Sequence, residues 1–199
     1  MTLRVVVATA NSGKLRELTA LLAGLDMQLV AQSGLGILPI EETGTTFAEN
    51  ALLKARHAAR SAGFAAIADD SGLEVDALQG APGLYSARYA GPGSDDAANN
   101  AKLLRSLAGV PEEARGARYQ CVLVFVNGPD DPSPVVAQAS WEGRIIDTPR
   151  GSGGFGYDPY FWLPDRGCTA AELDAAEKNR ISHRGQAMRQ LRAALERGR

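Results

Sequence analysis

Two adjacent carboxylates, Asp69 and Asp70, follow an apolar run over residues 64–68 and precede Ser71 and Gly72. Neighbouring carboxylates repel each other unless a cation or solvent screens them, and hard oxygen ligands of this kind suit Mg²⁺. The same four residues are also typical of a surface turn, in which an aspartate caps a helix or closes an Asx-turn. Spacing alone therefore leaves two interpretations, a metal site and a polar turn.

A second polar segment, Thr9-Ala10-Asn11-Ser12-Gly13-Lys14, lies between an apolar strand-like run and a helical pattern. It is not a Walker A sequence, because that motif needs glycine where Ala8 stands and serine or threonine where Leu15 stands. A loop between a strand and a helix still offers unpaired backbone N–H groups to an anion, and Lys14 adds a positive charge. The segment is either a phosphate-binding loop or an ordinary strand-to-helix turn.

The spacing of three glycines in residues 151–156 matches the dinucleotide-binding fingerprint. Pro159 follows, however, and it cannot continue as the helix that this fingerprint requires, so we reject a Rossmann interpretation. What remains, Phe155-Gly156-Tyr157-Asp158, combines a flexible backbone with two aromatic rings on which a flat base could stack. A tight loop with Phe155 in the core explains the same residues.

Cationic donors concentrate in the segment 177–184, just ahead of the last predicted helix. Lys178, His183 and Arg184 could dock phosphates or the edge of a base there. A solvated charge run is the alternative interpretation. The other histidine, His57, lies on the polar face of an alanine-rich helix and is predicted to be plain surface.

The elements that must position these residues follow from hydrophobic periodicity and from capping and turn signals. Strands are predicted over residues 3–8, 28–31, 64–68, 118–126 and 135–146, and helices over 14–23, 47–61, 94–107 and 184–197. Capping boxes stand at Thr46-x-x-Glu49 and Thr169-x-x-Glu172. The turn 127–132 makes the last two strands antiparallel, so the sheet must be mixed. The strand 64–68 is predicted to end at Asp69, and open α/β sheets bind ligands where strands end.

Composition restricts the class of protein. The 199 residues fit a single domain over residues 1–199, and 45% hydrophobic with 22% charged residues is typical of a water-soluble globular chain. The net charge is −2 and the basic residues are scattered, so we expect no nucleic-acid partner. The apolar run at residues 3–7 is too short for a signal peptide or a membrane span, so we expect a cytoplasmic protein without a membrane partner. Cys121 and Cys168 lack a CxxC pattern and are expected to be reduced thiols.

Taken in order, these segments resemble the motifs of the inosine triphosphate pyrophosphatase family, enzymes that hydrolyse aberrant purine nucleoside triphosphates. The resemblance runs from the first strand to the last helix, through Thr9–Lys14, Glu41–Ala51, Ala68–Leu73, Gly80–Gly83, Tyr85–Arg88, Gly153–Pro159 and Ser182–Gly185. One departure is Ala10, where the family's first motif usually has glycine. If that position needs a positive φ, alanine there costs some stability.

The resemblance implies an α/β fold, with an elongated mixed β-sheet and flanking helices forming two lobes around a central cleft. It also implies a homodimer that uses Mg²⁺ and hydrolyses ITP, dITP or XTP to the nucleoside monophosphate and pyrophosphate. By the same likeness, Asp70 is the catalytic base, and Glu41 and Asp70 hold the metal. The implied substrate contacts are Thr9, Ala10, Asn11, Ser12, Gly13, Lys14, Ser71, Phe155, Gly156, Tyr157, Asp158, Lys178, His183 and Arg184.

Two other functions are alternatives. A Maf-like pyrophosphatase acting on modified pyrimidine nucleotides fits the motifs less well, particularly at Ser182-His183-Arg184. A non-catalytic nucleotide-binding or RNA-binding module could use Phe155 and Tyr157 as stacking platforms. The net charge of −2 and the paired carboxylates argue against such a module.

Overall fold

The fold is built on a mixed β-sheet and five α-helices within residues 2–197, the part of the chain that the computed structural model describes. The strands are β1 (Leu3–Ala8), β2 (Met27–Ala31), β3 (Ala65–Val75), β4 (Gly116–Val126), β5 (Val135–Ile145), β6 (Phe161–Leu163) and β7 (Cys168–Thr169). The helices are α1 (Ser12–Leu22), α2 (Phe47–Ala62), α3 (Asp96–Ser106), α4 (Ala175–Ile181) and α5 (His183–Arg197).

The strand order in the sheet is β2-β1-β3-β4-β5-β6-β7. β1 runs parallel to both β2 and β3, whereas β6 runs antiparallel to both β5 and β7. The sheet is therefore mixed, and the predicted α/β class is confirmed.

Internal contacts divide the chain into two compact units. The first unit consists of the chain up to Asp70, the segment Cys121–Ala139, and the chain from Arg184 onward. The second unit consists of Ser71–Gln120 and Ser140–His183. β3, β4 and β5 therefore each contribute residues to both units. The single domain over residues 1–199 stays a prediction.

In the first unit, β1 is buried on both faces. Successive residues of a strand point to opposite sides of a sheet, so alternate residues of β1 enter different cores. Val5 and Val7 belong to a core to which α1 and α5 contribute. Val6 and Ala8 belong to a second core, to which α2 contributes four buried alanines. The first unit is thus a sheet with helices packed on both of its faces.

α2 begins at the predicted capping box. The Thr46 hydroxyl accepts a hydrogen bond from the Glu49 N–H at 3.1 Å, and the Glu49 carboxylate accepts one from the Thr46 N–H at 3.2 Å. The helix ends at Gly63, whose φ of 78° is left-handed and favours glycine. Both ends of α2 are therefore fixed by local sequence.

The second unit has a core of its own, which includes Leu73, Leu103, Tyr119, Trp141 and Phe161. α3 contributes to this core and begins at Asp95, whose carboxylate accepts a hydrogen bond from the Ala98 N–H at 2.8 Å.

The prediction that the third strand ends at Asp69 is wrong. β3 runs from Ala65 to Val75 and passes through Asp69 and Asp70, which are 1% and 6% exposed. Burying a charge is costly unless the charge is paired, and both carboxylates have cationic partners here. The interpretation of residues 69–72 as a surface turn is excluded by the same observation.

Three short elements were not predicted, namely β6, β7 and α4. The two strands have three and two residues, too few for a hydrophobic period to be read. α4 lies in the charged run before the last helix, and the Asp174 carboxylate caps it by accepting a hydrogen bond from the Glu177 N–H at 2.7 Å. The capping box at Thr169 closes only a single 3-10 turn over Ala170–Glu172.

Two further observations bear on the expectations from composition. Cys121 and Cys168 are free thiols, as predicted. Among the helices of residues 2–197, none combines the length and the apolar character that crossing a membrane requires.

The capping box generates a stability prediction. We expect Thr46→Ala to lower the free energy of unfolding by about 1 kcal/mol, because the Glu49 N–H at the start of α2 loses its acceptor. Urea denaturation measures this change. Ser61→Ala, an exposed position near the other end of α2, is the control and should leave the midpoint unchanged. Equal effects of the two substitutions would show that the box contributes nothing.

Candidate active site

The register of two parallel strands brings the first two polar segments together. Ala8 at the end of β1 is the partner of Ala68 in β3, so the residues that follow each of them lie side by side. These residues are the segment Thr9–Lys14 and the carboxylate pair Asp69-Asp70. The Lys14 ammonium lies 2.7 Å from Asp69 Oδ1, which confirms the proximity.

The segment after β1 forms the amino terminus of α1. Asn11 caps this helix, because its side-chain oxygen accepts a hydrogen bond from the Lys14 N–H at 3.0 Å. The Asn11 N–H in turn donates to the Thr9 hydroxyl at 3.2 Å. Ala10, Asn11 and Ser12 are exposed, so the start of α1 is accessible to an anion.

Asp69 is enclosed by hydrogen-bond donors. Its Oδ2 accepts from Arg184 Nε at 2.8 Å and from the Cys121 thiol at 3.2 Å, and its Oδ1 faces Lys14. Burial alone raises the pKa of the Asp69 carboxyl, but the charges of Arg184 and Lys14 outweigh burial and hold the pKa well below its usual value. Asp69 is therefore a fixed anion and a very weak base.

Arg184, on α5, is 2% exposed and contacts a second carboxylate, that of Glu17 on α1. Burial lowers the pKa of the Arg184 guanidinium, but Asp69 and Glu17 raise it above the usual value. Burial and the Asp69 charge also raise the pKa of the Cys121 thiol well above its usual value. Cys121 is therefore a neutral hydrogen-bond donor within this charged group.

Asp70 differs from its neighbour in both partners and basicity. Its Oδ1 accepts a hydrogen bond from the ammonium of Lys54, on α2, at 2.7 Å. Burial raises the pKa of the Asp70 carboxyl above its usual value, and the opposing charges of Lys54 and Lys14 do not fully cancel that effect. Of the two adjacent carboxylates, Asp70 is the one suited to accept a proton.

Lys54 joins Asp70 to the loop that precedes α2. Its ammonium lies 2.7 Å from both Asp70 Oδ1 and Glu42 Oε1, so two carboxylates converge on one cation. Glu41, the predicted metal ligand, is exposed, and its neighbour Glu42 is the one that makes this contact.

The donor set around Asp70 suits Mg²⁺ chemically, because Mg²⁺ prefers carboxylate oxygens and is usually held by one or two carboxylates together with substrate phosphates and water. Within the described part of the chain, no group of three or more Asp, Glu, His or Cys side chains is arranged to hold a metal. A metal bound by Asp70 and Glu42 would take its remaining ligands from water or a substrate.

In the second unit, Asp158 organises the predicted base-binding turn. It is 2% exposed, and its Oδ2 accepts hydrogen bonds from the Phe155 N–H at 2.8 Å and from the Lys178 ammonium at 2.5 Å. Its Oδ1 accepts a hydrogen bond from the Tyr119 hydroxyl at 3.2 Å. The Lys178 ammonium also lies 4.9 Å from the centre of the Phe155 ring. One buried carboxylate thus fixes the turn, the lysine and a tyrosine.

α3 holds the same turn by its backbone at Gly156. The Gly156 N–H donates to Asp96 Oδ2 at 2.7 Å, and its carbonyl accepts from Asn100 Nδ2 at 2.9 Å. Tyr157 is buried, and its hydroxyl donates to the Ser86 carbonyl at 2.7 Å. Tyr157 therefore supports the turn from the core, whereas Phe155 is half-buried.

The segment 177–184 is not a solvated charge run. Lys178, His183 and Arg184 are 5%, 4% and 2% exposed. The His183 ring is stacked on the Tyr119 ring, with centroids 4.7 Å apart and planes 10° apart. Each of the three predicted side chains is thus held by a specific partner.

The structure brings the predicted residues into two groups, one in each unit. Lys14, Asp70 and Arg184 belong to the first, and Phe155, Asp158, Lys178 and His183 to the second, while Ser71, half-buried, follows Asp70 in β3. Sequence reasoning left open whether Glu42 and Asp69 contribute, and the residues of these groups that it missed are Glu17, Lys54, Asp96, Asn100, Tyr119 and Cys121. The sequence signal that could have pointed to Lys54 is the rarity of lysine, since the chain has only four. Three of them, Lys14, Lys54 and Lys178, form ion pairs with buried aspartates.

Comparison with known proteins identifies the family. A model of the Ham1 family matches residues 5–194 of the chain. The chain belongs to the Ham1 family. Its relatives include the dITP/XTP pyrophosphatase of Thioalkalivibrio sulfidiphilus, which is 57% identical over 98% of this chain and 99% of the relative. The dITP/XTP pyrophosphatase of Shigella flexneri is 56% identical, again over 98% of this chain and 99% of the relative.

Solved structures of Ham1 proteins have the same fold. A HAM1 protein from Coxiella burnetii superposes with a TM-score of 0.89 at 47% sequence identity, over 98% of this chain and 99% of that one. The Ham1 protein of Staphylococcus aureus gives a TM-score of 0.85 at 41% identity, over 98% and 100% of the two chains. The family resemblance predicted from the motifs is confirmed by these comparisons.

The charged group around Asp69 generates a stability prediction for this Ham1 chain. We expect Asp69→Asn to lower the free energy of unfolding by about 3–5 kcal/mol, because an amide leaves Lys14 without its counter-charge and leaves Arg184 with that of Glu17 alone. Guanidinium denaturation measures the change, with the exposed Asp165→Asn as control.

The same pair of variants gives a pH test. Because the folded pKa of Asp69 is depressed, its carboxylate stabilises the fold fully above the unfolded pKa of 3.8 and loses that effect as the pH falls through the lower folded pKa. The stability difference between wild type and Asp69→Asn should therefore shrink only below about pH 4. A difference that disappears near neutral pH would contradict the assignment.

Gly154 generates a prediction for the base-binding turn. Its φ is 71°, and a Cβ added there would lie 2.0 Å from Asp158 Oδ2. Gly154→Ala should therefore displace the Asp158 carboxylate and raise KM for a nucleotide about tenfold or more, since a misplaced group of this kind costs up to about 10²-fold. Gly167→Ala, with a φ of 63° and no heavy atom within 4 Å of the added Cβ, carries the same backbone strain without the clash. Steady-state kinetics that change equally in both variants would contradict the role of Asp158.

Proposed function

We propose that this chain hydrolyses aberrant purine nucleoside triphosphates, namely ITP, dITP and XTP, to the nucleoside monophosphate and pyrophosphate. The observation that carries the proposal is that two adjacent carboxylates, Asp69 and Asp70, differ in basicity beside the exposed amino terminus of α1. Asp69 is neutralised by Lys14 and Arg184, whereas the pKa of Asp70 is raised. The relatives of this chain are named dITP/XTP pyrophosphatase, which agrees with this chemistry.

The first unit supplies the groups for phosphate chemistry. The backbone N–H groups at the start of α1 bind phosphate oxygens, and Lys14 and Lys54 place positive charge where negative charge develops during phosphoryl transfer. Asp70 accepts the proton of the water that attacks the α-phosphorus, and Ser71 contacts the substrate. The bond from the α-phosphorus to the bridging oxygen breaks, and pyrophosphate leaves.

Mg²⁺ is part of the proposal. Asp70 and a carboxylate of the loop Glu41-Glu42 would hold it, and when bound it lowers the pKa of water and offsets charge on the phosphate oxygens. Asp70 and Glu42 lie close enough together to share one cation, here the Lys54 ammonium, which Mg²⁺ would have to displace.

The second unit supplies base recognition. The Phe155 ring stacks on the purine, and Gly156 to Asp158 and Lys178 line its binding turn. A 6-oxo group accepts hydrogen bonds where the adenine amino group donates, so a fixed donor such as His183 rejects adenine by remaining unpaired. Xanthine and guanine both carry a substituent at C2, so selection between them depends on hydrogen bonding, because the 2-oxo group of xanthine accepts where the 2-amino group of guanine donates.

We also propose that the protein is a cytoplasmic homodimer, and the family resemblance supports this. Light scattering coupled to size exclusion measures the mass of the particle, and twice the chain mass of 21.0 kDa is the expected result.

One assay separates the proposal from its rivals. The protein is incubated with Mg²⁺ and a panel of dITP, XTP, dATP, dGTP, dCTP, 5-methyl-dCTP and dUTP, and pyrophosphate and orthophosphate are measured separately. Pyrophosphate from dITP and XTP alone is the expected result. Turnover restricted to pyrimidines would favour the Maf-like rival, and binding without turnover would favour a non-catalytic module.

The role of Asp70 generates an activity prediction. Asp70→Asn should lower kcat for dITP by about 10²–10⁴-fold, the usual contribution of a general base, while the thermal midpoint stays close to that of the wild type. Asp165→Asn, at an exposed aspartate that is not part of the proposed site, should keep full activity. An unchanged kcat in folded Asp70→Asn protein would refute the assignment of the base.

A further inference from the structure

Tyr119, on β4, contacts two different base-recognition groups at once. Its ring is stacked on His183, with centroids 4.7 Å apart and planes 10° apart. Its hydroxyl donates to Asp158 Oδ1 at 3.2 Å. Tyr119 is 8% exposed, so it is fixed within the core of the second unit.

Through Asp158, the hydroxyl of Tyr119 acts on two more groups. The other oxygen of that carboxylate accepts hydrogen bonds from the Phe155 N–H and the Lys178 ammonium. Tyr119, Phe155, Asp158, Lys178 and His183 therefore form one connected set, which we call the base-side cluster. Tyr119 is the member that holds the imidazole by its face and the carboxylate by its hydroxyl.

Other aromatic rings hold Tyr119 itself in place. Its ring lies 4.6 Å from that of Phe161 and 6.4 Å from that of Trp141. The Trp141 ring is also stacked with His183, at 6.2 Å between centroids. His183 is thus backed by packed rings, and a donor held in this way has little rotational freedom to lose when a ligand binds.

We infer that Tyr119 is a positioning residue for base selection, which fixes the directions of His183 and Asp158 so that a 6-oxopurine is preferred over adenine. The inference rests on the proposed function. A fixed donor discriminates because it cannot turn away from the wrong partner, whereas a mobile donor can reorient toward the wrong base or toward water. Loss of Tyr119 should therefore reduce selection more than it reduces turnover.

Two substitutions separate the ring from the hydroxyl. Tyr119→Leu removes the stack under His183 and should raise KM for dITP about tenfold, with kcat changed less than about threefold. The same variant should reduce the ratio of kcat/KM for dITP to that for dATP by about tenfold or more. Tyr119→Phe keeps the stack and loses one hydrogen bond, so it should raise KM only about threefold and keep most of the selectivity.

Tyr89→Phe is the matched control. Its hydroxyl also makes one side-chain hydrogen bond, to Ser106 at 3.3 Å, and Tyr89 is not part of the base-side cluster. This variant should have the KM and the selectivity of the wild type.

Equilibrium binding of inosine 5′-monophosphate and adenosine 5′-monophosphate provides a second readout that does not depend on turnover. Calorimetric titration of wild type, Tyr119→Leu, Tyr119→Phe and Tyr89→Phe should show a preference for the inosine nucleotide that falls only in the Tyr119 variants, most in Tyr119→Leu. An unchanged preference in folded Tyr119→Leu or an equal loss in Tyr89→Phe would overturn the inference. If Tyr119→Leu does not fold, Tyr119→Phe decides, and an unchanged inosine affinity there overturns the inference.

Failure of the proposed function has a different signature. In that case the wild-type protein would release no pyrophosphate from any nucleotide, whereas the monophosphate titration would still test whether Tyr119 sets base preference.

Discussion

The buried carboxylate of Asp69 is the constraint on which the first unit depends. A carboxylate in the middle of a sheet costs several kcal/mol unless it is paired with charge and hydrogen-bonded. Here Lys14 and Arg184 supply the charge, and they come from α1 and α5 on the same side of the sheet. The buried carboxylate therefore keeps its partners only while both helices are docked, so packing of this core and the charged group depend on each other.

That constraint also separates two neighbouring and chemically identical side chains. Successive residues of β3 point to opposite faces, so Asp69 faces the helices α1 and α5 while Asp70 faces Lys54 of α2. The pKa of Asp69 falls because two cations enclose it, and the pKa of Asp70 rises because burial outweighs its cations. One carboxylate is a fixed anion, and the other is the more basic of the two. The alternation of a strand is sufficient to produce both.

Sequence reasoning predicted the elements whose signals are local. β1 was predicted at its observed bounds, and α2 follows its capping box. β3 was predicted too short, because aspartates are not expected inside a buried strand when no partner for them is evident. The cations that pair with Asp69 are 55 and 115 residues away from it in the sequence. Local rules cannot supply contacts of this range, and for the same reason Lys54 and Tyr119 were missed. Lys178, His183 and Arg184 were singled out by the local concentration of cationic donors, and the family resemblance implied their roles.

The central claim, that Asp69 serves the fold and Asp70 serves the substrate, has a direct test. The measurement is the affinity for the non-hydrolysable α,β-imido analogue of dITP as a function of Mg²⁺ concentration, for wild type, Asp69→Asn and Asp70→Asn at a temperature where all three are folded. We predict that Mg²⁺ strengthens binding to wild type and Asp69→Asn but not to Asp70→Asn. Loss of the Mg²⁺ effect in Asp69→Asn, with its retention in Asp70→Asn, would contradict the account.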